Sequence, residues 1–149
     1  MHLRDRLEAD MKEALRSRDT LRLETIRGVR GAVRNKEIEI GELLGDEGIL
    51  RVIRGLVKQR IDSIEQFRNA GRDDLVEKEG AERAVLEAYL PAAPDEAEIE
   101  RVVRATIAEV GATSPKEMGR VMKPALERLG PAADGKLVSQ IARRLLAGD

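Results

Sequence analysis

The sequence predicts an all-α protein, with a helical N-terminal half and a small C-terminal module of three to four helices. Apolar residues recur at helical spacing along nearly the whole chain, and no segment alternates apolar and polar residues as a strand would. Hydrophobic residues make up 42% of the 149 residues and charged residues 37%, which is typical of a folded globular chain.

Two helices are predicted before the first glycine-bracketed turn. The first spans about four turns and is indicated by an apolar stripe at Leu3, Leu7, Met11 and Ala14. Asp19 is placed to cap the second helix, because a carboxylate accepts hydrogen bonds from the free N–H groups of a first turn. The inward stripe of the second helix is Ile26, Val29, Val33 and Ile40. Gly41 and Gly45 bracket the turn that follows.

The third predicted helix is the longest and runs from about Asp46 to Ala70, with Gly71 as its C-terminal stop. Its inward residues are Ile49, Ile53, Leu56, Val57, Ile61, Ile64 and Phe67. A very acidic fourth helix begins at Asp73 or Asp74 and ends at Tyr89-Leu90.

Two prolines within four residues, in Pro91-Ala92-Ala93-Pro94, form the clearest linker in the chain. We therefore predict an N-terminal helical domain over residues 1–91 and a C-terminal module over residues 95–149. Asp95 and Glu98 resemble a capping box at the start of this module, and Gly111 ends its first helix.

The next helix start is predicted at Ser114, with a proline at the first helical position and Glu117 at the third. Pro124 is predicted to break that helix or to restart it as a short second turn. The last helix begins at about Asp134 and buries Leu137, Val138, Ile141 and Leu145.

Composition excludes several kinds of site. Phe67 and Tyr89 are the only aromatic residues, so stacking of bases on aromatic side chains is excluded as a main binding mode. The absence of cysteine excludes disulfides, thiolate metal sites and a thiol nucleophile. The only histidine is His2, and no serine lies in a glycine-framed nucleophile motif. We therefore predict no catalytic residue and no cofactor.

The acidic fourth helix has two interpretations. Its carboxylates are Asp73, Asp74, Glu77, Glu79, Glu82 and Glu87. One interpretation is a site for Mg²⁺ or Mn²⁺, which prefer oxygen ligands. The other is a solvated face or a strip of intramolecular salt bridges. We favour the second, because the histidines that accompany such glutamates in di-metal bundles are missing, and we predict no metal site.

Charge is unevenly distributed along the chain. Residues 1–72 carry 16 cations and 13 anions, residues 73–115 carry 4 and 11, and residues 116–149 carry 7 and 4. A nucleic-acid contact would therefore be local, at one end of the molecule. No apolar run approaches the roughly 20 residues that span a bilayer, and the first residues lack the apolar block of a signal peptide. We expect a cytoplasmic protein without membrane contact.

Two helix starts in the last third of the chain carry glycine and cations. A glycine there lets a ligand approach the backbone, where free N–H groups and the helix dipole favour anions. If these helices pack together, the candidate phosphate-binding residues are Gly119, Arg120, Lys123, Gly135, Lys136, Arg143 and Arg144. The alternative for Asp134-Gly135-Lys136 is a plain capped helix whose glycine fits the turn, and the sequence leaves both interpretations open.

Seven short blocks of sequence occur in a recognisable order. They are Arg34-Asn35-Lys36-Glu37-Ile38-Glu39, Lys58-Gln59-Arg60-Ile61-Asp62-Ser63-Ile64, Ala70-Gly71-Arg72-Asp73-Asp74-Leu75, Glu79-x-x-Glu82, Tyr89-Leu90-Pro91, Met118-Gly119-Arg120-Val121-Met122 and Asp134-Gly135-Lys136-Leu137-Val138. In this order they resemble the GatB/YqeY family over nearly the whole chain, and most closely its free-standing YqeY-like branch.

The resemblance implies a two-part helical fold similar to the tail of the B subunit of glutamyl/aspartyl-tRNA amidotransferase. In that enzyme the tail helps to grip tRNA, while the kinase and amidase chemistry lies elsewhere. The family label of carbon–nitrogen ligase activity, with glutamine as amido-N-donor, then describes the parent complex, and we expect this chain alone not to be an enzyme. Relatives often carry a basic residue just ahead of Ala-Asp-Gly, where this chain has Pro131-Ala132, so one phosphate contact is missing.

Three functions follow from the residues and the resemblance together. The leading hypothesis is a non-catalytic module, linked to translation, that binds tRNA or a related structured RNA through its C-terminal helices. The second is an adaptor whose third and fourth helices dock a translation-related protein partner. The third is an accessory factor of a glutamine-dependent tRNA amidotransferase. The sequence does not determine the oligomeric state.

Overall fold

The protein is helical through nearly all of the chain that the structure describes. This computed structural model describes residues 2–148, which form seven α-helices and no β-strand, so the predicted all-α class is confirmed. The helices are α1 (Leu3–Arg16), α2 (Thr20–Ile40), α3 (Asp46–Asn69), α4 (Asp73–Glu87), α5 (Glu96–Val110), α6 (Met118–Leu129) and α7 (Gly135–Leu146). A short 3₁₀ turn, Pro115–Glu117, directly precedes α6. None of these helices combines the length and apolar composition needed to cross a membrane.

The helices belong to two compact units, each with a hydrophobic core of its own. The first unit ends at Leu90 and the second begins at Pro91. In the first unit, α1 to α4 enclose a core that includes Leu7, Ile26, Val29, Ile49, Ile53 and Leu86. In the second unit, α5, α6 and α7 enclose Ile99, Val103, Val121, Val138 and Ile141. Both cores are almost entirely aliphatic, as the scarcity of aromatic residues requires.

Several predicted helix ends are confirmed by their capping contacts. Asp19 accepts a hydrogen bond from the backbone N–H of Arg22 at 3.2 Å, and Asp95 accepts one from Glu98 at 2.8 Å. Gly41 and Gly111 follow α2 and α5 with φ of +76° and +71°, a left-handed conformation that a side chain disfavours. These ends depend on local interactions, which short sequence patterns encode well.

Two residues predicted to face inward are exposed. Ile40 is 41% exposed and Ile61 is 40% exposed. Ile40 is the last residue of α2, where the apolar period continues past the point at which neighbouring helices cover it. The fourth helix also ends earlier than predicted, at Glu87, and the buried Tyr89 lies beyond its end.

The prediction that Pro124 breaks its helix is wrong. Pro124 lies inside α6, which continues without interruption from Met118 to Leu129. A proline inside a helix removes one backbone hydrogen bond and costs about 3 kcal/mol or more. Val121 and Ala125, on either side of Pro124, are both completely buried, so packing of α6 in the core offsets this cost. The predicted serine cap also differs, because the Ser114 side chain makes no capping hydrogen bond.

Candidate nucleic-acid interface

The N-terminus of α7 is capped by a carboxylate of the chain itself. Asp134 Oδ1 accepts hydrogen bonds from the backbone N–H groups of Lys136 at 3.0 Å and Leu137 at 3.5 Å. An anion at this helix start would meet a negative group that already satisfies those donors. The geometry is that of the plain capped helix, so an anionic ligand near this end would have to bind side chains.

The two candidate glycines lie in open space. A Cβ atom built on Gly119 or on Gly135 would meet no atom within 4 Å. Packing within the described chain therefore does not require glycine at either position. Both residues are exposed, which leaves the backbone at each of them accessible to a ligand.

Arg120 is bound to the junction between α5 and α6. Its Nη1 donates to Glu117 at 2.8 Å, and its Nη2 donates to the carbonyl oxygen of Val110, the last residue of α5. Glu117 also accepts from the backbone N–H of Thr113, and this bond contributes most to a carboxyl pKa below its ordinary value. A phosphate would have to compete with these partners for the guanidinium.

Arg144 is bound to the opposite end of α5. Its Nη2 donates to Glu100 Oε2 at 3.1 Å, and its Nη1 lies 3.9 Å from Glu96 Oε1. The pKa of Glu100 is lowered mainly by its hydrogen bond to Arg104, with a smaller contribution from Arg144. Arg144 therefore also has carboxylate partners in the folded chain.

The seven candidate residues do not form a single cluster. Arg120 is anchored at Val110 and Arg144 at Glu100, and ten residues of α-helix separate these anchors by about 15 Å. Packing of α6 and α7 in one core brings their buried faces together without bringing these two guanidinium groups to one point. The five candidate cations therefore divide into two arginines that have carboxylate partners, Arg120 and Arg144, and three cations that have none in the described chain.

Lys136 and Arg143 are the two candidate cations of α7 without an ion pair in the described chain. Both are exposed on α7, and neither makes an ion pair with any residue that the structure describes. They lie seven residues apart, which places them on the same helix face at about 10.5 Å along the axis, with the exposed Gln140 between them. We call Lys136, Gln140 and Arg143 the α7 basic face. Lys123, also exposed, makes no ion pair within residues 2–148.

Arg128 is a structural cation of the second unit that the sequence patterns did not reveal. Its Nη1 donates to the hydroxyl of Thr106 at 3.0 Å, and its Nη2 forms an ion pair with Glu109. Thr106 is completely buried and donates to the carbonyl oxygen of Val102. The sequence contained one signal of this contact. Thr106 occupies a core position in the apolar stripe of α5, and a buried hydroxyl requires a hydrogen-bond partner.

Glu37, in the first matching block of the sequence, stabilises the turn between α2 and α3. It accepts from the backbone N–H of Leu44 at 2.8 Å and from Arg4, which also donates to the carbonyl oxygen of Leu44 at 3.1 Å. The hydrogen bond from Leu44, followed by that from Arg4, lowers the pKa of the Glu37 carboxyl. This glutamate links α1, α2 and the turn.

The acidic helix α4 uses two of its carboxylates for salt bridges to α3. Arg60 Nε lies 2.9 Å from Glu82 Oε2 and 3.3 Å from Glu79 Oε2. The contacts of Glu79 and Glu82 agree with the favoured interpretation of α4 as a solvated face or a strip of intramolecular salt bridges. They connect α4 to α3, the helix against which it packs most extensively.

Tyr89 closes the end of the first unit. Its hydroxyl donates to Asp10 Oδ2, and the guanidinium carbon of Arg6 lies 4.7 Å from the centre of its ring. Burial and the bond to Asp10 raise the pKa of the Tyr89 hydroxyl far above its ordinary value. The Tyr89-Leu90-Pro91 block thus contains a contact that joins the end of the unit to α1.

The fold and the exposed cations define a class of protein: a two-unit helical protein with a basic helix face in its second unit. The model of the Yqey-like protein family matches residues 4–146, so the chain belongs to that family. The family resemblance inferred from the seven blocks is therefore confirmed.

Curated relatives carry the name "Altered inheritance of mitochondria protein 41, mitochondrial". The protein of Pyrenophora tritici-repentis is 37% identical over 140 residues, which cover 91% of this chain and 76% of the relative. That of Lachancea thermotolerans is 38% identical over 73% of this chain and 60% of its own length. That of Kluyveromyces lactis is 45% identical over 59% of this chain and 48% of its own. The matches thus span about half to three quarters of these relatives.

These names correct the predicted location. A cytoplasmic protein was predicted because the first residues lack the apolar block of a signal peptide and no apolar run approaches the length that spans a bilayer. The relatives are named as mitochondrial proteins, which contradicts a simply cytoplasmic assignment. Those features do not distinguish the cytoplasm from another aqueous compartment. The predicted cytoplasmic location was therefore wrong.

Proposed function

We propose that the second unit binds structured RNA, with tRNA as the leading candidate, through the α7 basic face. The observation that carries this proposal is that Lys136 and Arg143 are exposed on one face of α7 without an ion pair in the described chain. Such cations bind phosphate without first losing an intramolecular partner, and they release counterions from the RNA on binding. Lys123 adds a third accessible cation on α6.

The mode of recognition in this proposal is electrostatic and shape-dependent. The second unit contains no aromatic residue on which an unpaired base could stack. Cations on a helix face contact phosphates, which position a protein on RNA and carry little sequence information. Gly135 leaves the first turn of α7 open, while Asp134 keeps anions away from the helix end itself. Contact would therefore extend along the face of α7 away from its start.

The proposed role is binding without catalysis. The links to translation and to a glutamine-dependent amidotransferase are predictions from the family resemblance. They agree with a protein that holds RNA for chemistry performed elsewhere. Binding by the purified chain would therefore be measurable without any co-substrate.

A filter-binding titration with bulk tRNA at several salt concentrations tests this proposal. The double variant Lys136→Glu with Arg143→Glu should lose at least about tenfold in affinity, and its log–log salt slope should fall by about 2, because two phosphate contacts are lost. A matched control is Arg101→Glu with Arg104→Glu, two exposed arginines of α5 that already face carboxylates.

The control has the same net charge as the test variant, so an equal loss in both would indicate a non-specific charge effect and refute the α7 basic face. Binding that persists in high salt would refute the electrostatic mode of recognition, and no retention of tRNA at low salt would refute RNA binding itself. Circular dichroism of both variants checks that the helices are intact.

A further inference from the structure

A groove in the first unit combines an apolar floor with arginine walls. It has a volume of about 530 Å³ and is bounded by α1, α2 and the start of α3. Three buried side chains line its floor: Leu7, Val33 and Ile49. Arg30 and Arg34 line its wall from successive turns of α2.

These two arginines lack the carboxylate partners that neighbouring charges possess. The charges nearby are paired: Arg4 with Glu37, and Glu8 with Lys12 at 3.6 Å. In the described chain neither Arg30 nor Arg34 forms an ion pair, and Arg30 Nη1 lies 2.9 Å from the sulfur of Met11. Glu8 and Glu37 also line the groove but have partners of their own, so Arg30 and Arg34 are its two cations without a carboxylate partner in the described chain.

The apolar character continues beyond the groove. A shallower depression shares Arg34 and Glu37 with it and is also lined by Ile38 and Leu43. Ile38 is 71% exposed and Leu43 is 79% exposed, the two largest values among the exposed large hydrophobic residues. Contiguous apolar exposure next to a groove is typical of a docking surface. We call the groove together with Ile38 and Leu43 the α2 docking surface.

We propose that the α2 docking surface binds an acidic amphipathic helix of a partner protein. The apolar residues of such a helix, at i, i+3 or i+4 and i+7, would cover the groove floor and the side chains of Ile38 and Leu43. Its carboxylates would pair with Arg30 and Arg34, which α2 places about 6 Å apart along its axis. Glu42, at the far end of the surface, favours a cation at the corresponding end of the partner helix.

The charges and the exposed apolar residues of this surface favour an acidic amphipathic helix over two other occupants, an RNA and a second copy of the chain. An RNA would use the arginines but would leave Ile38 and Leu43 in water. A second copy of the chain would have to offer α4, its most acidic helix, yet the large apolar side chains of α4 are buried or half-buried in its own fold. An external helix that carries both acidic and exposed apolar residues satisfies both requirements.

Fluorescence anisotropy with the full chain tests the proposal. The probe is a labelled synthetic peptide of about five helical turns, with leucines at i, i+3, i+4 and i+7 and glutamates on the flanking positions. One comparison peptide replaces the glutamates by lysines, and a second scrambles the order of the same residues. We expect the glutamate peptide to bind more tightly than either comparison peptide by at least about tenfold, since helix-in-groove binding depends on both spacing and charge.

Variants of the chain locate the binding. Arg30→Glu with Arg34→Glu should weaken the glutamate peptide at least about tenfold, and Ile38→Ser with Leu43→Ser should weaken it independently. The matched control is Arg16→Glu with Arg68→Glu, two exposed arginines outside the groove. Unchanged helical content by circular dichroism would show that these surface variants fold.

Four outcomes would overturn the proposal. These are equal binding of all three peptides, no binding of the glutamate peptide, an equal effect of the control variant, and displacement of the peptide by bulk tRNA. A fifth outcome would come from analytical ultracentrifugation. If the chain forms a dimer that Ile38→Ser with Leu43→Ser abolishes, the surface binds a second copy of the chain instead. Apart from displacement by tRNA, none of these results depends on whether the α7 basic face binds RNA.

Discussion

The second unit contains two kinds of exposed cation that differ in what they already bind. Arg120 and Arg144 donate to the two ends of α5 and contribute to the arrangement of the helices. Lys136 and Arg143 extend from α7 without a carboxylate partner in the described chain. An exposed arginine is thus a poor indicator of a binding site until its intramolecular partners are known. The same contrast occurs in the first unit between Arg60 and Arg34.

The largest expected effect is on tRNA affinity, and it distinguishes the cations that have a carboxylate partner from those that have none. Lys136→Ala with Arg143→Ala should lower tRNA affinity at least about tenfold, because it removes two contacts that need no prior exchange of partners. Arg120→Ala with Arg144→Ala should lower it less, and should lower the midpoint of thermal unfolding more. Filter binding and thermal denaturation of both variants measure this, and the reverse ranking in either assay would contradict the division.

The next effect concerns the capped start of α7. Asp134→Ala removes the side chain that accepts from Lys136 and Leu137, and should destabilise the protein by about 1 kcal/mol. If phosphates approach this end of α7, the same change should raise tRNA affinity, because a repulsive carboxylate is lost. Asp134→Asn is the control, since it keeps a capping oxygen without the charge. Urea denaturation and filter binding of both variants distinguish capping from repulsion.

A smaller effect, on the free energy of unfolding, tests whether Gly119 is needed for RNA binding or for folding. Gly119→Ala should stabilise the protein by about 0.5–1 kcal/mol, because the new methyl group meets no atom and a helical alanine is favoured over glycine. A loss of tRNA affinity in this more stable variant would indicate close approach of RNA to the α6 backbone. Unchanged affinity would remove Gly119 from the interface. Chemical denaturation supplies the stability and filter binding the affinity.

The smallest effect is the pH dependence of the α5–α6 junction. The folded pKa of the Glu117 carboxyl lies below the ordinary value of a glutamate, so its contribution to stability is present above that ordinary value and is lost as pH falls through the folded pKa. The contribution is small because the ion pair between Glu117 and Arg120 is accessible to solvent. Glu117→Gln should therefore reduce the loss of thermal stability between about pH 5 and pH 3. Glu127→Gln, at an exposed position on α6 that makes no ion pair in the described chain, is the matched control.

Local features of the fold could be predicted from the sequence, whereas contacts between distant residues could not. Asp19, Asp95 and the glycines after α2 and α5 act on neighbouring backbone groups, so short patterns reveal them. The pairing of Arg128 with Thr106 joins residues 22 positions apart, and no short pattern encodes it. Pro124 shows the same limit, since burial on both sides overrides a local preference.

The candidate site was predicted less well than the fold for the same reason. Sequence alone identified the cations of α6 and α7 but not the carboxylates that neutralise some of them. The cap at Asp134 was visible in the sequence, yet only its hydrogen bonds show that it fills the helix start. The groove beside Arg30 and Arg34 requires three helices, and no motif within α2 alone indicates it.

The position of Tyr89 gives the molecule a built-in spectroscopic reporter. It is the only tyrosine, and the chain contains no tryptophan, so ultraviolet fluorescence excited through tyrosine arises from the first unit alone. Circular dichroism at the helical band, in contrast, sums over both units. Emission and ellipticity followed in one denaturation experiment would therefore show whether the two units melt together or in sequence, without any label or added probe.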